Sequence, residues 1–198
     1  RAPPPKTPRV SHSNMSKSVA PASIMTAAKS GKVDVLLEWL NSGGQANAVD
    51  MLMVAAGHGH EQVVDLLLQR GAEINEQSNE GGTALMAAAG RGWVQVVEIL
   101  LRGGAELDLQ ARDGGTALMW AASNGHERVV ELLQQHGAEI NAQANDGVTA
   151  LMLAARDGHE QVVEVLLRHS AEINLQASKG YTALMYPAIY GHPAIVLR

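Results

Sequence analysis

Apolar residues return along this chain in two alternating stripes. One pairs long and small side chains: Leu85-Met86 with Ala88-Ala89, Leu118-Met119 with Ala121-Ala122, and Leu151-Met152 with Ala154-Ala155. The other keeps a Val-Val-x-Leu-Leu spacing at Val63, Val64, Leu66 and Leu67, and again at Val129, Val130, Leu132 and Leu133. Asp65, Glu98, Glu131 and Glu164 fall on its polar side. Spacings of three and four residues gather each stripe onto one face of a helix. Thr83, Thr116, Thr149 and Thr182 stand just before the first stripe, where a hydroxyl can accept from an unpaired N–H of the first helical turn. Gly59, Gly92, Gly125, Gly158 and Gly191 separate the stripes, and Gly71, Gly104 and Gly137 end the second, at points where the chain must reverse. The opening Thr-Ala-Leu-Met returns every 33 residues. Such a period is the signature of a one-dimensional stack, in which a unit of helix, helix and hairpin buries its faces against its neighbours.

Taken in order, residues 1–22 form a leader rich in Pro and Ser, with Arg1, Lys6, Arg9 and Lys17 and no acid before Asp34. Its composition favours a disordered basic tail over a targeting presequence or a Pro-rich docking peptide. The repeat domain is expected over 23–198: a cap over 23–44, repeats over about 45–77, 78–110, 111–143 and 144–176, and a partial unit over 177–198. In the cap, residues 23–31 read as a helix stopped by glycine and 33–40 as a second, with Val35, Leu36, Trp39 and Leu40 on one side. From Gly31 to Gly59 is 28 residues, about five short of the period, so the first hairpin is expected to be truncated, with Asp50 as the helix N-cap. Pro187 falls inside the first helix of the last unit, where it predicts a kink. Val196 and Leu197 are expected to be exposed.

Composition narrows the function. Hydrophobic residues make up 46% of the 198, with no Phe and only 3% aromatics, which suits closely approaching helices rich in Ala, Leu and Val. A net charge of -5 argues against nucleic acid or an anionic membrane as partner. The absence of Cys removes disulfides and thiolate chemistry and fits a cytoplasmic or nuclear protein. No apolar run approaches the roughly 20 residues needed to cross a bilayer. Beginning at Arg1 and stopping at Arg198, the chain reads as a fragment, so an activity could lie in a neighbouring domain.

The period, the Thr-x-Leu opening, the Gly-His turns at Gly125-His126, Gly158-His159 and Gly191-His192, and the Gly-Ala-Glu-Ile-Asn endings resemble the ankyrin repeat family over residues 23–198. The resemblance implies an ankyrin-repeat solenoid of stacked helix-turn-helix units with projecting hairpin loops. The chain departs from the family by Ala and Met in place of the opening Pro and His, so packing of Met is expected to replace the hydrogen bonds of that His. Against a constant framework, the positions that vary are the hairpin tips and the ends of the first helices. In ankyrin proteins these positions line the concave groove, so the resemblance implies partner contact by Glu80, Arg112, Asp113, Asn145, Asp146, Lys179 and Tyr181 at the tips. It implies the same for Arg91, Ser123, Asn124, Arg156, Asp157 and Tyr190 at the helix ends. Trp120 and Tyr186 follow the Met of their openings, where Ala87 and Leu153 stand in sister units; they read equally as gap fillers or as binding anchors. Gln77, Gln110, Gln143 and Gln176 form a ladder expected to hydrogen-bond along the stack. The Leu-x5-Glu-Ile-Asn segments ending at Asn75, Asn141 and Asn174 resemble ankyrin sites of asparaginyl hydroxylation. They are near the family consensus and predict nothing specific.

Candidate chemistry is thin. The eight His invite a metal reading at His58-x-His60, but four of the eight fall at or next to the turn glycines at repeat spacing, which favours turn roles and no metal. Glycines are plentiful without a phosphate-loop arrangement. Acidic residues have no partnered nucleophile, so no catalysis and no cofactor are expected. The expected function is a non-catalytic scaffold, a monomer that binds a partner protein through the groove. The alternative is a docking segment of a larger multidomain enzyme or channel.

Overall fold

The repeated unit folds because its first helix is almost entirely small or apolar, while its second carries one apolar face. In the computed structural model, which describes residues 20–46 and 50–196, these become twelve helices and no strand among the described residues. Residues 1–19, residues 47–49 of the shortened link, and residues 197–198 lie outside them, so the expectations for the leader up to residue 19, the truncated hairpin and Leu197 fall there, as does that for the Val196 side chain; at the end of the expected leader, Ala20 is buried and the first helix already begins at Ala22. The first helices of the pairs are α1 (Ala22–Lys29), α3 (Met51–Gly57), α5 (Ala84–Ala89), α7 (Ala117–Ser123), α9 (Ala150–Asp157) and α11 (Met185–Tyr190). The second helices are α2 (Val33–Asn41), α4 (Glu61–Gln69), α6 (Val94–Arg102), α8 (Glu127–Gln135), α10 (Glu160–Arg168) and α12 (Pro193–Val196). Each helix packs on its own partner and on its counterparts in the units before and after, giving two parallel rows.

Between the rows runs one apolar core. Ala55, Ala88, Ala121 and Ala154 are completely buried; their short side chains let consecutive first helices approach closely. Val63, Val64 and Leu67, and their equivalents through Leu166, fill the space toward the second row. Met86, Met119 and Met152 are buried to within 2% of complete, so methionine packing does take the place of the opening histidine. In the second cap helix only Leu36 and Leu40 are buried; Val35 turns to solvent, contrary to the expected four-residue face.

Thr83, Thr116 and Thr149 cap their helices as expected, each Oγ1 accepting from the amide of the following Met. Two openings differ. Asp50 occupies the N-cap position in a left-handed conformation, φ 68°, and its side chain caps nothing. Its helix start is therefore uncapped by a side chain. In the last unit the helix begins at Met185 rather than beside Thr182, because starting later moves Pro187 into the first turn. There its missing N–H leaves no hydrogen bond broken. A late start thus replaces the expected kink.

Hydrogen bonds between units include three lines along the stack. Gln77, Gln110 and Gln143 each donate Nε2 to a tip carbonyl of their own hairpin and to the backbone carbonyl of the next Gln, so the ladder is as expected. At the tips, the amides of Arg112, Asn145 and Ser178 donate to the carbonyls of Glu80, Asp113 and Asp146. At the turns, ring nitrogens of His60, His126 and His159 meet the carbonyls of Lys29, Gly90 and Ser123, and Trp93 Nε1 donates to Gly57. These side chains are more than turn residues: they tie each unit to the one before. Gly92 and Gly125 hold positive φ at these turns, and a Cβ there would also strike the ring of His126 or His159 at 2.6 Å.

Candidate partner-binding groove

The tips and the ends of the first helices border three depressions of about 680, 490 and 390 Å³. The first and second share Asp113, Trp120 and Asn124; the second and third share Asp146, Val148 and Arg156. They are therefore one groove running from Met53 to Tyr190. The hairpins bring Glu80, Arg112, Asp113, Asn145, Asp146, Lys179 and Tyr181 to one wall, and the helix ends bring Arg91, Ser123, Asn124, Arg156 and Tyr190 to the other, with Trp120 between.

Asp157 alone among the expected groove residues lines none of these depressions. Its carboxylate takes Arg156 Nε at 2.8 Å and Nη2 at 2.9 Å, and Ser123 Oγ at 2.8 Å. Burial pushes the Asp157 carboxyl upward, but the hydrogen bonds from Arg156 and Ser123 outweigh it and hold the group below the usual carboxylate range. The same bond raises the Arg156 guanidinium above its ordinary value. Arg112 rests against Glu80 at 3.4 Å in a pair open to water, which contributes at most about 1 kcal/mol.

Trp120 occupies a space made by two glycines. A Cβ at Gly90 would lie 3.1 Å from its Cε3, and one at Gly115 would lie 2.9 Å from its Nε1. The indole is still 38% exposed, so it fills a gap between units and also presents a face to the groove. Farther along, Tyr181, Tyr186 and Tyr190 gather, with ring centroids 5.8 and 6.4 Å apart. Burial raises the Tyr186 phenol above its ordinary value.

Sequence reasoning passed over Met53, Val54, His58, Ala87 and Leu153, all of which line the groove. The signal was the position after the opening Met, which runs Val54, Ala87, Trp120, Leu153 and Tyr186, a wider range of size than any neighbouring position shows. His58 and His60 have rings stacked at 6.2 Å, yet their nitrogens serve different carbonyls, Val54 and Lys29. Among the described residues no group of three His, Cys, Asp or Glu is arranged to hold a metal ion.

Two rows of short helices, hairpins joined at their tips and a groove between tips and helix ends define a helical repeat protein of the stacked type. The chain matches the family described as ankyrin repeats (3 copies) over residues 52–144 and again over 141–198. It belongs to the ankyrin repeat family. It is also 37% identical over 67 residues to the ankyrin repeat-containing protein P1E11.10 of Schizosaccharomyces pombe, a match covering 31% of this chain and 32% of that protein. The chain thus spans about a third of the length of that relative. Ankyrin repeats are in general protein–protein interaction modules and are generally non-catalytic. No helix of the described residues is long and apolar enough to cross a membrane.

Proposed function

We propose that the groove from Met53 to Tyr190 is the docking surface for a partner protein, and that this chain acts as a non-catalytic scaffold. The observation that carries the reading is the division of labour within the repeat. Positions that stay constant between units supply the core and the caps, whereas the hairpin tips, the ends of the first helices and the position after the opening Met, all of which change from unit to unit, collect along one continuous groove. A surface that varies over an invariant frame is how a repeat protein acquires a specific partner. The groove also offers what protein interfaces use as anchors, aromatic rings and arginines among small residues. The second reading, a docking segment within a larger multidomain protein, uses the same groove and is supported by the length of the relative, of which the match covers 32%.

The test is an affinity capture from cell extract with the whole chain, beside a variant carrying R112E, D113N, R156E and Y181A, read by mass spectrometry. Circular dichroism verifies that the variant is folded. A protein retained by the parent and lost by the folded variant supports the reading; identical captures overturn it.

A further inference from the structure

The groove has a partition. Trp120 lines both the first and the second depression, and the two sides of it differ in chemistry. On the first side the repeat leaves a space unfilled. Gly57 and Gly82 stand 33 residues before Gly90 and Gly115, the glycines that accommodate the Trp120 indole, but the residue in register with Trp120 is Ala87. A Cβ at Gly57 would lie 3.4 Å from the Ala87 methyl and one at Gly82 3.6 Å from Met53 Sδ, so the frame that holds an indole in one unit holds only a methyl group and the edge of Met53 in the unit before. The resulting hollow of about 680 Å³ is walled by Met53 and Val54, and Met53 is only half-buried where its counterpart Met86 is 1% exposed. The second side holds Asp146 together with Asp113, which borders both depressions. Each uses one oxygen, Oδ1, to accept from an amide of its own turn, at Gly115 and Val148. Neither is ion-paired to a described residue. The local cation Arg156 is held by Asp157 at 2.8 Å, and Arg91 borders only the first depression. The Trp120 Nε1–H has no hydrogen-bond partner among the described residues, although Trp93 spends its own on Gly57.

We propose that the groove seats an extended segment of a partner protein carrying an aromatic side chain and, two residues along, an arginine or lysine, the two astride Trp120. This rests on the reading of the groove as a docking surface and names what docks. The aromatic ring fills the glycine-framed hollow beside Ala87 against Met53, as the chain's own indole does one unit later. The cation lies against the indole and between the spare oxygens of Asp113 and Asp146, an arrangement that combines cation–π attraction with charge-assisted hydrogen bonds. Charge complementarity selects a basic group, because the second depression offers unpaired carboxylates and a guanidinium already neutralised. The spacing follows from geometry: groups on opposite sides of a flat ring are roughly 7 Å apart, and residues i and i+2 of an extended chain roughly 6.6 Å. A backbone carbonyl of such a segment supplies the acceptor for the Trp120 N–H.

The experiment follows the three indole N–H resonances of the ¹⁵N-labelled whole chain while the capped pentapeptide glycyl-tyrosyl-seryl-arginyl-glycine is added. The expected result is a saturable shift of the Trp120 resonance, with those of Trp39 and Trp93 unmoved as reporters of an intact fold. Replacing tyrosine by alanine, or arginine by the neutral isostere citrulline, is expected to weaken binding about tenfold each. The double variant D113N/D146N is expected to bind the parent peptide no better than wild type binds the citrulline peptide. A87W, which fills the hollow with a side chain the repeat already tolerates at position 120, is expected to erase the advantage of tyrosine over alanine. No saturable shift, or equal affinity for all three peptides, overturns the proposal. If the capture experiment identifies a groove-dependent partner while the peptides fail, the aromatic and basic assignment falls and the docking surface stands. If both fail, the groove reading falls with it.

Discussion

In the unit opened by Thr149, Leu151 is 3% exposed and Met152 1%; in the last unit their counterparts Leu184 and Met185 are 49% and 46% exposed. The letters are the same, Thr-Ala-Leu-Met in both. In the middle of the stack, α9 is covered by α7 on one side and α11 on the other, whereas among the described residues α11 has a neighbouring first helix only in α9. The residues of an opening are thus buried largely by the units on either side and only partly by their own. Stability in such a stack is a sum of weak intrinsic terms and strong interfaces between neighbours. The two regions therefore contrast an opening covered on both sides and capped by Thr149 with one that has a neighbouring first helix on one side among the described residues and begins its helix at Met185.

The largest contrast is expected from truncation. Leu151→Ala removes a buried side chain and should cost about 2–5 kcal/mol, whereas Leu184→Ala, half in solvent, should cost under about 1 kcal/mol. Urea unfolding of the two variants beside the parent measures the difference. Equal shifts of the midpoint would mean that the exposed Leu184 is covered in solution, and would break the comparison. Enlarging a side chain asks the same question from the other direction. Ala122 is completely buried and its counterpart Ala188 is exposed. Ala122→Leu should destabilise by about 1–3 kcal/mol through overpacking, and Ala188→Leu should stay within about 0.5 kcal/mol of the parent. A smaller effect is expected at the caps. Thr149→Ala loses a hydroxyl that accepts from Met152 and should cost about 0.5–2 kcal/mol. Thr182→Ala should change the melting temperature little, since the helix of its unit starts at Met185 and Thr182 caps nothing. A loss at Thr182 equal to that at Thr149 would show that the last helix starts beside Thr182 in solution.

How far the sequence reaches can be judged from these same residues. The Thr caps, the Ala-Ala pairs and the Val-Val-x-Leu-Leu faces were legible because each is decided within a few residues of one unit and is then repeated. Asp50 was legible as the N-cap position, but not that its side chain would cap nothing, because the residue stands there in a left-handed conformation. Pro187 was legible as a breaker, but whether a helix bends or begins late depends on packing around it, which spacing does not contain. The ring nitrogens of His126 and His159 reach carbonyls 36 residues away, so nothing local announced that they join units. Nor could the groove be assembled whole, because Met53, Val54 and His58 enter it from the unit before the tips they face. Asp157 was placed in the groove by its register, yet its neighbour Arg156 and Ser123 of the previous unit take up its carboxylate.

The smallest effect lies between the two regions, at the turn that ends α10. Gly71, Gly104 and Gly137 end the preceding second helices with φ of 86°, 89° and 89°, and Ser170 takes the same place with φ 67°. The hydrogen bonds are unchanged: the amide of Ala171 donates to Leu166 at 3.0 Å, as that of Ala138 donates to Leu133 at 3.0 Å. Serine there pays the steric cost of a left-handed conformation, roughly 1–2 kcal/mol for a residue with a Cβ. Glycine would avoid that strain but lose more freedom on folding, a term of about 0.4–1 kcal/mol in the other direction. The strain is the larger of the two, so Ser170→Gly should stabilise the chain by somewhat under about 1 kcal/mol, and Gly137→Ser should destabilise it by a similar amount. Both are measured by urea midpoint. If Ser170→Gly lowers the midpoint, the serine hydroxyl is making a contact in solution that outweighs its backbone strain, and the last turn differs from its three sisters in bonding as well as in residue.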